Sequence, residues 1–387
     1  MHLRDQLAER QAVLAALGGS PAAIQQVLRY CENRFDLEKA PIAPIFPMTD
    51  EPHVADWREY VDQSGPDVFS ALQARLPQLC IPIRAGISTT PAYAAVVRRG
   101  QPFDAAAFGG TLSLECPTAL QLNIHEHPAG ALPIFVTPHR PDFETLHRAL
   151  ALRHEPVAIN ASVNAQMIAG LLNWDRVRRY QSRWMAQHGM AAMAHWGKEM
   201  QRVATTEKWR FYDRLMLVCE HPYSGLSAQQ LGLDLTEAQW LHTSTRLRLE
   251  HEFTHYTTKR LYDYMGLNLF DETICDWAGM TAALGRFDGQ WFLQFLGLED
   301  WPRVRPEGRV YTYCQELDSE AFALQCRLMV RVAAGLEALS RTYYAEQDRL
   351  RFLLTLTRMT LELLAAEDRD SFFLRAYEEA ARLLGDS

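Results

Sequence analysis

Residues 247–276 read LRLEHEFTHYTTKRLYDYMGLNLFDETICD, and the organisation of this stretch decides how the chain folds. Leu247, Leu249, Phe253 and Leu261 surround the segment His251-Glu252-Phe253-Thr254-His255. Upstream, Thr236 and Gln239 have the form of a capping box, so the pattern predicts one long helix that opens at Thr236 and runs through the motif. Histidines four apart on a helix are offset by about 40° and one turn, so both imidazoles reach one ion from one face. Glu252 then lies beside the ion, where a carboxylate can take a proton from bound water. A buried helix carrying His, Glu, Thr and His together needs partners for those groups. The reading is a Zn2+ site with His251 and His255 as ligands and Glu252 as the base.

Zinc needs a third protein ligand, and no histidine follows His255. The long metzincin pattern fails, because Thr258 and Leu261 stand where it requires Gly and His. Glu272 and Asp276 do follow, one helical turn apart on one face. They suit a carboxylate ligand and a second carboxylate that fixes the tautomer of a ligand histidine. For Glu272 to reach the ion, the first helix must stop near Arg260 and the chain must turn back between residues 261 and 270. Gly266 and Asn268 are expected to supply the turn conformations. Should Glu272 point away, Asp271, Asp263 or a group from the N-terminal part becomes the candidate.

The segment from about 245 to 285 resembles the gluzincins, the metallopeptidases typified by thermolysin. These place H-E-x-x-H on one helix and the third ligand in an N-E-x-x-S-D-like segment on the next. The resemblance implies a zincin-like core in which His251, His255 and Glu272 bind zinc, Glu252 is the base and Asp276 is the partner of His251. Thr254 also matches the thermolysin form. The gap from His255 to Glu272 is shorter by about one helical turn, and Asp271 and Cys275 replace the asparagine and serine. The later transition-state histidine of the family has no counterpart. His221, in Glu220-His221-Pro222, is the first substitute, and Tyr262 and Tyr311 are the tyrosine candidates for an oxyanion donor, with Tyr264 and Tyr313 nearby.

Outward from this core, residues 3–33 predict two short helices broken at Gly18-Gly19-Ser20-Pro21, and 41–52 an irregular proline-rich connector. Residues 55–78 read as helix, 119–124, 132–137 and 215–219 as strands, and 162–205 as helix capped by Asn160 or Ser162. Residues 316–347 and 349–384 read as long bundle helices. The expected fold is α+β and predominantly helical. An N-terminal α/β lobe, residues 1–235, holds a small, mainly antiparallel sheet. A C-terminal helical lobe, 236–387, carries the zinc helices, with an active-site cleft between the two.

His125-Glu126-His127 looks like a second metal cluster. On a strand, however, its histidines share a face while Glu126 points away, so it reads as structure or substrate contact. The gluzincin resemblance implies a substrate-pairing role for that strand edge. No G-x-S-x-G accompanies the serines, which sets a serine hydrolase aside.

Composition limits the partners. Net charge is -8 with a pI near 5.9, and the densest basic run, Arg176-Val177-Arg178-Arg179, reads as a solvated helix face, so no nucleic-acid partner is expected. No apolar run is long enough to span a membrane, and Arg4, Asp5, Glu9 and Arg10 interrupt any signal-type segment. Seven cysteines without a C-x-x-C pair suggest reduced thiols in a cytoplasmic protein. The expected function is zinc-dependent hydrolysis of a peptide or small amide. The alternatives are a zincin-fold enzyme acting on a non-peptide substrate in a biosynthetic pathway, and a non-catalytic zincin-like binding protein. Oligomeric state is not legible.

Overall fold

The computed structural model describes residues 3–35 and 44–385. The expected connector over 41–52 lies partly outside them, and 44–52 form neither helix nor strand. Helices α1 (Leu3–Ala16) and α2 (Pro21–Tyr30) flank the diglycine break, and the Ser20 side chain accepts from Ala23 N to cap α2. Both pack on C-terminal elements. Arg10 pairs with Glu362 at 3.0 Å, the Tyr30 hydroxyl accepts from Leu269 N, and the Phe35 ring meets Tyr262. The chain accordingly divides into one unit of Met1–Met48 with Pro222–Ser387, and a second of Thr49–His221. The sequence reading put residues 1–48 and 222–235 in the N-terminal lobe. Periodicity reveals that a helix has a buried face but not which body buries it.

The Thr49–His221 unit is built on a mixed four-stranded sheet of order β1-β2-β4-β3, with β1 Gln121–His125, β2 Leu132–Thr137, β3 Ala165–Leu172 and β4 Tyr212–Cys219. β1/β2 and β3/β4 are antiparallel pairs, while β2 and β4 run parallel. All six residues of β2 are buried, as a central strand covered on both faces requires. Helices α3 (His53–Ser64), α4 (Arg140–Leu150) and α5 (Trp174–His188) are among the helices of the unit, and Phe143 and Leu146 of α4 share a core with Phe135, Leu215 and Leu217.

Residues 165–172 correct the helix expected over 162–205. They form a strand with a bulge at Gly170, and the helix starts only at Trp174, capped by Asn173. Asn160 instead accepts from Ser162 N in a local turn. The run Arg176–Arg179 is only partly a solvated face, since Arg176 is buried against Asp56 and Asp213.

In the helical unit the Thr236–Gln239 capping box opens α6 (Glu237–Tyr262), and Asn268 caps α7 (Leu269–Leu284) through Phe270 N and Asp271 N. α8 (Ser319–Tyr343) follows as one long helix. The stretch 349–384 is broken into α9 (Arg349–Leu356), α10 (Leu361–Ala365) and α11 (Arg369–Leu384), with Thr360 capping α10. α6 and α7 are antiparallel and press together at Gly279, where an added Cβ would lie 2.6 Å from the Leu247 carbonyl oxygen. Among the described residues no helix is long and apolar enough to cross a membrane.

Candidate metal centre

α6 ends at Tyr262 because Asp263 takes a left-handed conformation (φ 52°, ψ 22°). Gly266, expected to supply that conformation, has another role. A Cβ there would lie 2.2 Å from Asp271 Oδ2, and its N–H donates to Asp271 Oδ1. The six residues from Asp263 to Asn268 thus reverse the chain and set Glu272 one turn inside α7.

That reversal brings the four predicted residues together. His251, His255, Glu272 and Asp276 are all buried. Glu272 straddles the histidine pair, with Oε2 3.4 Å from His251 Nε2 and Oε1 3.4 Å from His255 Nε2. Asp276 Oδ1 accepts from His251 Nδ1 at 2.9 Å and from the Tyr223 hydroxyl at 2.5 Å. With Nδ1 bound to Asp276, the His251 ring presents Nε2 to Glu272. Glu252, on the same helix, is half-buried, and its carboxylate makes no hydrogen bond or ion pair among the described residues.

A further cation completes the cluster. Arg309 is largely buried and donates to Glu272 Oε2 at 3.1 Å, to Asp276 Oδ2 at 3.3 Å and to the Tyr313 hydroxyl at 2.9 Å. Burial opposes ionisation of Glu272, yet the two imidazoles hold its carboxyl well below the usual carboxylate range. Asp276 is likewise held low against its burial, chiefly by Arg309 and then by His251. Burial also disfavours a charged His251, but Asp276 and Glu272 outweigh it and raise the ring to about 10. Burial pushes Cys275 well up, with Glu272, Asp271 and Glu252 adding to the effect.

Imidazole nitrogens and a carboxylate are zinc-type donors. Ligands about 2.0–2.2 Å from one tetrahedral ion stand roughly 3.3–3.5 Å apart, and Glu272 keeps that separation from each imidazole nitrogen, through a different oxygen in each case. Cys275 is a further candidate, since its sulfur and one nitrogen of each histidine all lie within 4.8 Å of one another. The outer nitrogen of His255, Nδ1, is buried without a hydrogen-bond partner among the described residues.

The remaining candidates lie elsewhere. Tyr262 shares a buried hydrogen bond with Thr357, and Tyr311 is 45% exposed with its ring stacked on Phe322, so neither joins the cluster. His221 is the last residue of the Thr49–His221 unit. Its near neighbour Tyr223 reaches the site, as do Arg309 and, hydrogen-bonded to it, Tyr313, a tyrosine the sequence reading had named; Tyr223 and Arg309 were missed. Arg309 has no local motif. Tyr223 had a faint signal, since it directly follows the Glu220-His221-Pro222 segment. The His125 and His127 rings stack 6.5 Å apart, and Glu126 pairs with Arg58.

The chain belongs to a family of unknown function, DUF7005, whose model matches residues 12–368. No curated protein and no solved structure matches it.

Proposed function

We propose that this chain is a zinc-dependent hydrolase with a zincin-like core of gluzincin type, acting on a peptide or small amide. The observation that carries the proposal is the Glu272 carboxylate spanning His251 Nε2 and His255 Nε2 at 3.4 Å each. His251, His255 and Glu272 would hold the ion. Zinc bound there supplies a Lewis acid and a water acidified to near neutral pH. Glu252 takes a proton at its carboxylate and returns it to the leaving amine, a task suited to a half-buried acid without a protein partner. Asp276 holds the His251 ring by its Nδ1. With a divalent ion in place, the single positive charge of Arg309 and the carboxylates Glu252, Glu272 and Asp276 sum to zero, which moderates the burden of burying them. The seven cysteines are all free thiols, which suits a cytoplasmic setting.

A second reading, a non-catalytic protein that keeps only the scaffold, is favoured by the 3.1 Å pairing of Arg309 with Glu272, because that network is already charge-paired without an ion. Metal analysis together with the Glu252→Gln variant separates the two. Hydrolysis predicts zinc retained in Glu252→Gln and turnover of a quenched-fluorescent peptide and amide pool reduced at least about a hundredfold. A chain with no zinc at this site, or with unchanged turnover in Glu252→Gln, overturns the proposal.

A further inference from the structure

The α/β unit holds a second set of metal-type donors that the proposed hydrolysis does not use. One donor atom each from Cys116, His139 and Asp142 lies within 4.8 Å of the other two. We propose that these three residues bind a divalent transition-metal ion of the zinc class, independently of the helical centre.

The chain builds this group from two separated segments. β2 ends at Thr137, and His139 follows as the extended residue (φ -97°, ψ 106°) that precedes α4, with Asp142 in the first turn of that helix. Asp142 is buried, and it accepts from Glu115 N at 2.7 Å and from Cys116 N at 2.9 Å. Those two bonds clamp residues 115–116 against the start of α4 and bring the Cys116 thiol beside the histidine. The clamp accounts for Asp142, and Glu115 Oε2 lies 3.6 Å from His139 Nε2, which leaves the other ring nitrogen to explain. His139 Nδ1 faces Asp142 Oδ2 at 3.2 Å, is buried, and yet makes no hydrogen bond with it or with any other described residue. A ring nitrogen that close to a carboxylate, outside hydrogen-bonding geometry, suits two ligands of one ion, which stand about 3.3 Å apart around tetrahedral zinc.

The donor chemistry is selective. Sulfur, imidazole nitrogen and carboxylate oxygen together favour zinc-class ions over magnesium or calcium, which prefer oxygen alone. A thiolate and a carboxylate balance a divalent charge, and the N-terminal end of α4 favours both anions. Cys116 is only partly buried, so an ion can reach the site. The position, beyond the carboxyl end of β2 where it runs parallel to β4, is where open α/β sheets commonly leave room for ligands.

Cobalt(II) tests this, because a thiolate ligand to cobalt produces a charge-transfer absorption. The full-length chain, kept reduced and loaded with Co2+, should show that absorption. Cys116→Ser should abolish it and lower bound metal by one equivalent per chain, and His139→Ala should remove the same equivalent. His251→Ala should leave the absorption and this equivalent in place. Failure of the hydrolase reading would not touch the Cys116-dependent equivalent, whereas failure of this inference would leave only metal that His251→Ala removes. A wild-type chain without the absorption overturns the proposal. So does an absorption that survives in Cys116→Ser, which would assign the thiolate to Cys275 beside the helical histidines.

Discussion

His251 and His255 bracket Glu252 on α6, while His125 and His127 bracket Glu126 at the end of β1. In letters the two segments look like versions of one motif. On the helix, the four-residue spacing turns both imidazoles toward Glu272, and the ring centroids stand 5.2 Å apart at a steep angle. At the strand's end, where β1 stops at His125, the rings lie nearly parallel at 6.5 Å, and Glu126 reaches out to Arg58. His127 is occupied locally, its Nδ1 accepting from Ala129 N in the hairpin turn. A cluster of metal-type letters therefore means little until its spacing is set against the period of the element that carries it.

The strongest way to break the contrast is to remove each pair. His251→Ala or His255→Ala should abolish zinc at the helical centre, while His125→Ala with His127→Ala should leave zinc content unchanged by elemental analysis. Metal lost from the strand double variant would erase the distinction.

Asp276 sharpens the comparison, because it holds the His251 ring through Nδ1. Asp276→Asn should weaken zinc binding by about 10–100-fold in a chelator competition, the scale for residues that orient ligand histidines. Unchanged affinity would reduce Asp276 to a counter-charge for Arg309.

The loop between α6 and α7 offers a third test. Gly266→Ala drives a methyl group into the Asp271 carboxylate and should destabilise the chain by about 1–3 kcal/mol in urea unfolding. A neutral result would mean that the loop yields and does not clamp the helices.

Acidity gives the most graded effect. In the metal-free chain His251 is held to about 10, above the usual imidazole value near 6.5. Its contribution to folding is therefore complete below about pH 6.5 and is lost as pH rises toward 10. Zinc requires the neutral ring, so its affinity should rise over the same window, by up to about tenfold per pH unit. Unfolding of the metal-free chain and zinc competition, measured from pH 6.5 to 10, should run in opposite directions. Parallel curves would remove His251 as the coupled group.

What could be read in advance was local. The capping box at Thr236, the helix period through His255 and the turn between Glu272 and Asp276 are relations within a few residues. β2 was legible because a short β-branched and aromatic run is a strand signal in itself. β3 was not, since Ala165–Leu172 contains only one β-branched residue and includes Gly170, and its pairing with β4 is what makes it a strand. Arg309 reaches Glu272 from 37 positions away, and Cys116 meets His139 across a hairpin. Such contacts are set by tertiary packing and leave no periodic trace.

The bare backbone at Gly279 has a mechanical meaning. Leu247 and Gly279 touch about 6 Å and 10 Å along their helices from His251 and Glu272 respectively, so this contact is the fulcrum of a two-jawed clamp. A wedge at the fulcrum tilts the jaws and alters the gap between imidazole and carboxylate. Zinc bonds to oxygen run about 2.0–2.2 Å and calcium bonds about 2.3–2.6 Å, so a few tenths of an ångström separates one ion's fit from another's. Ion preference can thus drift through a position that touches no ion, with every ligand left unchanged.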